Sequence, residues 1–280
     1  MRLRVLAVLF VCPAVYCQNH PQPLTQIEAC RNFRTSIVQV DTDTMHGTGF
    51  IVAPDGWIIT ALHVVADQKT LTKRENISVS IIGHTHPIPA EIVSPLDNRA
   101  RLRDFAVLKI SKTSLPALDL GSEVNVEDGS PIAIIGLPLS ASFAVPPGSV
   151  VPRFCLFGTV AAQYALPLGN LEFLHTIYFQ GVSVKGISGA PIISLVTGKV
   201  IGIVSTKLTG IGPDLQALRD DISAGKGSGV SLSGIDPNLT IGKILDMLDL
   251  QLANGLGSGT GASDAAYALK KAQKSYKQPR

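Results

Sequence analysis

The chain has 280 residues, 45% of them hydrophobic, so it has enough apolar material to bury a large core in one domain or two modest ones. Its 24 basic and 21 acidic residues give a formal charge of only +3, with much of the excess at the two ends, which excludes a nucleic-acid groove. Twenty-six glycines and 18 prolines spread along the chain favour many turns and short strands over long helices, so the expected class is all-β.

The amino end, MRLRVLAVLFVCPAVYCQNHPQ, has a basic start, an apolar stretch to about Tyr16 and an abrupt polar change. That is the build of a secretory signal peptide over residues 1–17, with cleavage near Cys17, and it implies a secreted or periplasmic protein. A retained anchor and a lipid-modified Cys17 are the competing readings. The apolar stretch falls short of the ~20 residues of a membrane span and contains Pro13, and Tyr16 stands where lipid processing prefers a small residue. No stable membrane span is therefore expected once the signal is removed. Loss of Cys12 and Cys17 with the signal would leave Cys30 and Cys155, either as a disulfide or as two buried thiols. The sequons at Asn76 and Asn238 matter only in a host that glycosylates exported proteins.

An N-terminal segment, 18–34, includes a short helix in LTQIEACRNF. Strands then follow closely: SIVQV, GTGFIVAP, GWIITALHVV, SVSIIG, IPAEIVSP and DFAVLKI, parted by Gly, Pro, Asp and Asn. They make a first β-unit over residues 35–120. A second unit, 121–252, contains PIAIIGLPL, FCLFGTVAA, LEFLHTIYF, APIISLV, KVIGIVST and a weaker GVSLSG. Its end, IGKILDMLDLQLANG, carries Ile241, Ile244, Leu245, Leu248 and Leu252 on one helical face, which predicts a terminal helix packed on the preceding strands. Residues 253–280, opening with GLGSGTGASD, read as a flexible Gly/Ser linker and a basic tail. His84 and His86 would share one face of a strand as a metal pair. No third ligand stands near them, loop positions suit them better, and no cofactor is expected.

Chemistry concentrates at three places. ITALHVVA puts His63 where an apolar strand leaves the core, RDFAVLKI puts Asp104 just before another, and VKGISGAPII sets Ser188 in a glycine turn. A serine hydroxyl is a weak nucleophile. It needs a histidine to take its proton and a buried carboxylate to hold that histidine's tautomer, and backbone N–H groups of Gly186 and Ser188 would form an oxyanion hole. Taken singly, each of the three is equally at home as a turn or strand-end residue.

These blocks resemble the trypsin-like serine proteases, HtrA-type members in particular, over roughly residues 35–250. GTGFIVAPDGWIITALHVV is similar to the G-S-G-F…D-G-x-I-x-T-x-x-H-V-V block, RDFAVLKI to D-L-A-V-L-K, and GISGAPIISLVTGKVIGIVS to G-N-S-G-G-P-L…G-x-V-I-G-I. The resemblance implies two six-stranded antiparallel Greek-key β-barrels with the site between them. His63 and Asp104 would come from the first barrel, Ser188 from the second, and the substrate would be a polypeptide.

Two departures stand out. Ile187 replaces the Asn or Asp of relatives, so no ion pair to a freed amino terminus can form and the oxyanion loop must be ordered by packing, substrate or a partner. Ala190 replaces the second glycine. Too few residues follow 252 for the PDZ domain that HtrA-type proteins usually carry. The pocket base falls near Val182 with no acid beside it, and Ser205 to Lys207 would line a wall, which points to small or medium aliphatic side chains in the substrate. The competing reading is a catalytically silent trypsin-fold module that binds a peptide or partner. Acyl transfer or ester hydrolysis on the same triad is a third. The oligomeric state is not legible.

Overall fold

In the computed structural model, which describes residues 22–138, 151–169, 172–181, 184–207, 213–225, 233–252 and 255–276, the apolar runs close into two six-stranded barrels. The first comprises β1 (Ile37–Asp41), β2 (His46–Ala53), β3 (Trp57–Thr60), β4 (Ser78–Ser80), β5 (Ile88–Ile92) and β6 (Ala106–Ile110), in the order β1-β2-β3-β6-β5-β4. The second comprises β7 (Pro131–Gly136), β8 (Phe154–Gly169), β9 (Glu172–Gln180), β10 (Pro191–Ser194), β11 (Val200–Lys207) and β12 (Leu256–Gly261), in the order β10-β11-β12-β9-β8-β7. Neighbouring strands in both barrels pair antiparallel, and closure leaves no free edge.

Strands β3, β6 and β10 are buried at every position because both their faces are covered. Val38, Ile51 and Ile58 point into the first barrel, and Ile134, Ile177 and Ile192 into the second. Their immediate neighbours Ile37, Phe50, Ile59, Ile135 and Ile193 form a separate cluster between the barrels. The strand period of two thus serves two cores at once. Arg153 crosses the same seam, donating to the carbonyls of Ile37 in β1 and Val151. Burial pushes its guanidinium down to about 10, and it remains charged at neutral pH.

Short helices join and flank the barrels. Helix α1 (Gln26–Phe33) opens with a capping box between Thr25 and Glu28, and Cys30 within it forms a disulfide with Cys155 of β8, their Cα atoms 5.9 Å apart. Helices α2 (Leu62–Val65) and α3 (Asn98–Arg103) carry site residues at or beside their ends. Between β11 and β12 lie α4 (Pro213–Ser223) and α5 (Pro237–Leu252), followed after β12 by α6 (Ala262–Ser275).

Two expectations for the carboxyl end are overturned. The helix expected near 241–252 exists as α5, but it packs on α4, where Gly242 lies against Ile222. Leu245 is buried, whereas Ile241, Ile244 and Leu248 face outward. The supposed linker is instead β12, paired with β9 and β11 as the strand that closes the second barrel. Its glycines answer to close approach rather than flexibility, since a Cβ at Gly257 would meet the Phe179 ring at 2.3 Å and one at Gly259 the Ile203 carbonyl at 2.4 Å. The supposed tail is α6, whose Ala262, Ala265, Leu269 and Ala272 are buried; Leu269 and Ala272 pack beside Trp57 and Val107 on the outside of the first barrel. Tyr276 follows with its ring 5.5 Å from that of Trp57, edge to face. Residues 1–21 and most of GVSLSG lie outside the described residues. Among those described, no helix is long and apolar enough to cross a membrane.

Candidate active site

Strand β3 ends at Thr60, and the chain turns into α2, which carries His63 at the rim of the first barrel. Asp104 follows the end of α3 in a left-handed conformation (φ 48°, ψ 43°), unusual for a residue with a side chain, and is 4% exposed. Its contacts hold it there. One carboxylate oxygen accepts from the His63 backbone N–H at 3.1 Å and the other lies 2.8 Å from His63 Nδ1, while the Asp104 carbonyl accepts from Leu62 N. A carboxylate facing Nδ1 assigns the proton to that nitrogen and leaves Nε2 as the basic one.

Ser188 arrives from the other barrel, in the turn leading into β10. Its carbonyl accepts from Thr48 N at 2.9 Å, and a Cβ added at Gly47 would stand 2.6 Å from Val64 and 3.2 Å from the Ser188 carbonyl. Gly47 therefore lies between the serine turn and the residue after His63. Gly189, at φ 86°, backs directly onto Ala61 and Thr60, where no side chain has room. The three expected residues are thus gathered at the seam between the barrels. Among the described residues the Ser188 hydroxyl makes no hydrogen bond to His63, a looseness familiar in substrate-free hydrolases.

The loop before the serine shows a selective pattern of pairing. Ile187, Gly189 and Ala190 donate their N–H groups to Val184, Val204 and Ile187, whereas those of Gly186 and Ser188 find no acceptor among the described residues. Gly186 sits at φ 98°, and its carbonyl is turned onto the Thr48 hydroxyl at 2.8 Å. Ile187 and Ala190 both join the second barrel's core, Ile187 at 1% exposure. An apolar anchor thus stands directly before the serine, and packing holds the loop.

Two contacts were not legible beforehand. Ser205, expected on the pocket wall, donates its hydroxyl to Asp104 at 2.7 Å, giving that carboxylate three donors drawn from both barrels. Thr48, within the GTGF block, clips the first barrel to the Gly186–Ser188 turn and accepts from Leu137 N. Val182 lies outside the described residues; Lys207 pairs with Gly257 in β11, and its side chain is likewise outside them. Lys185 meets Asp246 of α5 at 3.4 Å, an exposed pair linking the α4–α5 hairpin to this loop. His84 and His86 lie in the connection between β4 and β5, and among the described residues no group of three His, Cys, Asp or Glu is placed to hold a metal.

The model of the trypsin-like peptidase domain matches residues 47–203, more than half of the chain, and takes in His63, Asp104 and Ser188. This chain belongs to the trypsin-like peptidase family. Within it, the peptidase domain is similar to the mitochondrial serine protease HTRA2 of Bos taurus, 32% identical over 165 residues, or 59% of this chain and 32% of that protein. It is also similar to a probable periplasmic DegP-like serine endoprotease of Chlamydia pneumoniae, 27% identical over 219 residues, 76% of this chain and 36% of that one. The chain spans about a third of the length of these curated relatives. Among solved structures, an inactive form of Rv3671c from M. tuberculosis superposes with a TM-score of 0.54 at 20% identity, covering 99% of this chain and all of that one. The serine endoprotease from Yersinia pestis does so at 0.56 and 19%, covering 91% and 68%. At such identities the likeness is one of fold.

Proposed function

We propose that the chain is an exported serine endopeptidase in which Ser188 attacks the scissile carbonyl, His63 acts as base then acid, and Asp104 orients His63. The proton of the Ser188 hydroxyl passes to His63 Nε2 as Oγ bonds to the carbonyl carbon. The N–H groups of Gly186 and Ser188 receive the negative oxygen, and His63 returns the proton to the departing amine; water then repeats the sequence on the acyl-enzyme. The observation that carries this reading is the Asp104 carboxylate bound to both the backbone and Nδ1 of His63, opposite a serine turn with two N–H groups that meet no acceptor among the described residues. Export is supported by the build of residues 1–17, by the Cys30–Cys155 disulfide and by the periplasmic names of some relatives. A polypeptide substrate cut after small or medium aliphatic residues fits the lack of an acid near Val182.

A second reading, a silent peptide-binding module, is motivated by Ile187 and Ala190, the two departures beside the nucleophile. Labelling with a fluorophosphonate probe, read by intact mass, separates the two. One adduct that disappears in Ser188→Ala is expected. No adduct in a folded sample would sink the enzymatic reading, and full peptidase activity in Ser188→Ala would sink the mechanism.

A further inference from the structure

The residue before Asp104 is gripped twice by the segment that closes the molecule. The Arg103 carbonyl accepts from the Thr260 hydroxyl of β12, and Arg103 Nε lies 3.3 Å from Asp264 Oδ1 in the first turn of α6. This pair is mostly buried, with side-chain exposures of 17% and 12%, so solvent screens it far less than a surface pair. The start of α6 is fixed in turn by Glu123, 2% exposed, whose carboxylate accepts from the backbone N–H of Ser263 at 3.0 Å and from its hydroxyl. His175 of β9 stands 3.4 Å from Glu123. Two carboxylates, a guanidinium and an imidazole thus meet beneath the turn that carries Asp104.

We infer that Arg103, Thr260 and Asp264 are positioning residues for Asp104, so that β12 and α6 act as a brace on the carboxylate that orients His63. A left-handed non-glycine residue costs about 1–3 kcal/mol and persists only where its surroundings over-determine it. Asp104 is held from ahead by His63 and Ser205, and from behind through Arg103, whose carbonyl accepts from Thr260 and whose guanidinium faces Asp264. Release of the rear grip leaves the strained turn free to relax and swings the carboxylate away from Nδ1. Misplacement of a catalytic group by about 1 Å can cost a hundredfold in rate. Burial raises the Asp264 carboxyl above its ordinary value while Arg103 and His175 pull it down, so its charge leans on the Arg103 contact.

The inference rests on Asp104 being the acid of the proposed triad, and its test is chosen to fail separately. In the full chain, Asp264→Ala, Asp264→Asn and Thr260→Val would be compared with the parent by the downfield proton resonance of His63 Nδ1–H and by kcat and KM on a peptide. Asp264→Ala is expected to shift or broaden that resonance, lower kcat roughly tenfold and leave KM within about twofold. Thr260→Val, nearly isosteric, should do the same more weakly and carries the test if Asp264→Ala does not fold. Arg103→Lys, which keeps a cation opposite Asp264, should recover more of kcat than Arg103→Ala. Folded variants with parental resonance and kcat would overturn the brace. If the parent fails to react with the probe, the enzymatic reading falls, while the resonance still decides whether β12 and α6 position Asp104.

Discussion

Ile187 offers the sharpest test of how the oxyanion loop is ordered. Its side chain is 1% exposed, packed among the second barrel's core and against Gly136, and its backbone separates the N–H groups of Gly186 and Ser188, which meet no acceptor among the described residues. Ile187→Ala removes Cγ1, Cγ2 and Cδ1, worth about 2.4 kcal/mol at ~0.8 per methylene, and the cavity left behind brings the loss to about 3 kcal/mol. Spent on global unfolding, that lowers the melting temperature by roughly 6–12 °C for a chain of this size. Spent on local opening, it shifts the loop's closed-to-open ratio roughly a hundredfold, because 1.4 kcal/mol is a factor of ten. The assay is the second-order rate of fluorophosphonate incorporation at a temperature where the chain is folded, alongside a thermal melt. Ile187→Val, which loses about 1 kcal/mol, should give a graded intermediate. Parental labelling and melting in Ile187→Ala would refute the claim that packing at this residue holds the loop.

Ser205→Ala removes one of three donors to the Asp104 carboxylate, a charge-assisted bond of about 1.5–3 kcal/mol. It should lower kcat/KM roughly ten- to hundredfold while KM stays near the parental value, as steady-state kinetics would show. Asp264 also has a pH signature. Its carboxyl is held above the ordinary 3.8, so between that value and the raised one the folded chain binds more protons than the unfolded chain, and stability falls as pH rises through the window. Urea unfolding across acidic pH should show this decline, and Asp264→Asn should flatten it.

Much of the candidate site was legible because its residues stand beside the ends of apolar strands. His63 follows the end of β3, while Asp104 and Ser188 precede β6 and β10, and the structure gathers all three at one seam. Ser205 was read as pocket wall because sequence gives position along β11 but not the direction of a hydroxyl near a β-bulge, which the pairing with β12 records beside it. The greatest misreading concerned residues 253–280. A run such as LGSGTG signals flexibility when judged by conformational entropy. Here the glycines exist because Phe179, Ile203 and Glu123 leave no space for a Cβ. The apolar stripe of α5 was real as a helical pattern, yet pattern alone does not name the partner: Leu245 is buried, Ile241, Ile244 and Leu248 stay exposed, and the contact with α4 runs through Gly242.

The disulfide joins Cys30 to Cys155 across a sequence separation of 125, which closes the chain between them, the whole first barrel included, into a covalent ring. Such a ring narrows the unfolded ensemble, by about 4.7 kcal/mol for a loop of ~100 residues on the chain-entropy account. It also changes what self-digestion means for this molecule. A single cut between His63 and Cys155 opens the ring without releasing a piece, so the fragment that carries His63 stays tethered to Ser188 until a reductant breaks the sulfur bridge. Nicked and intact chains would then migrate differently only after treatment with thiol.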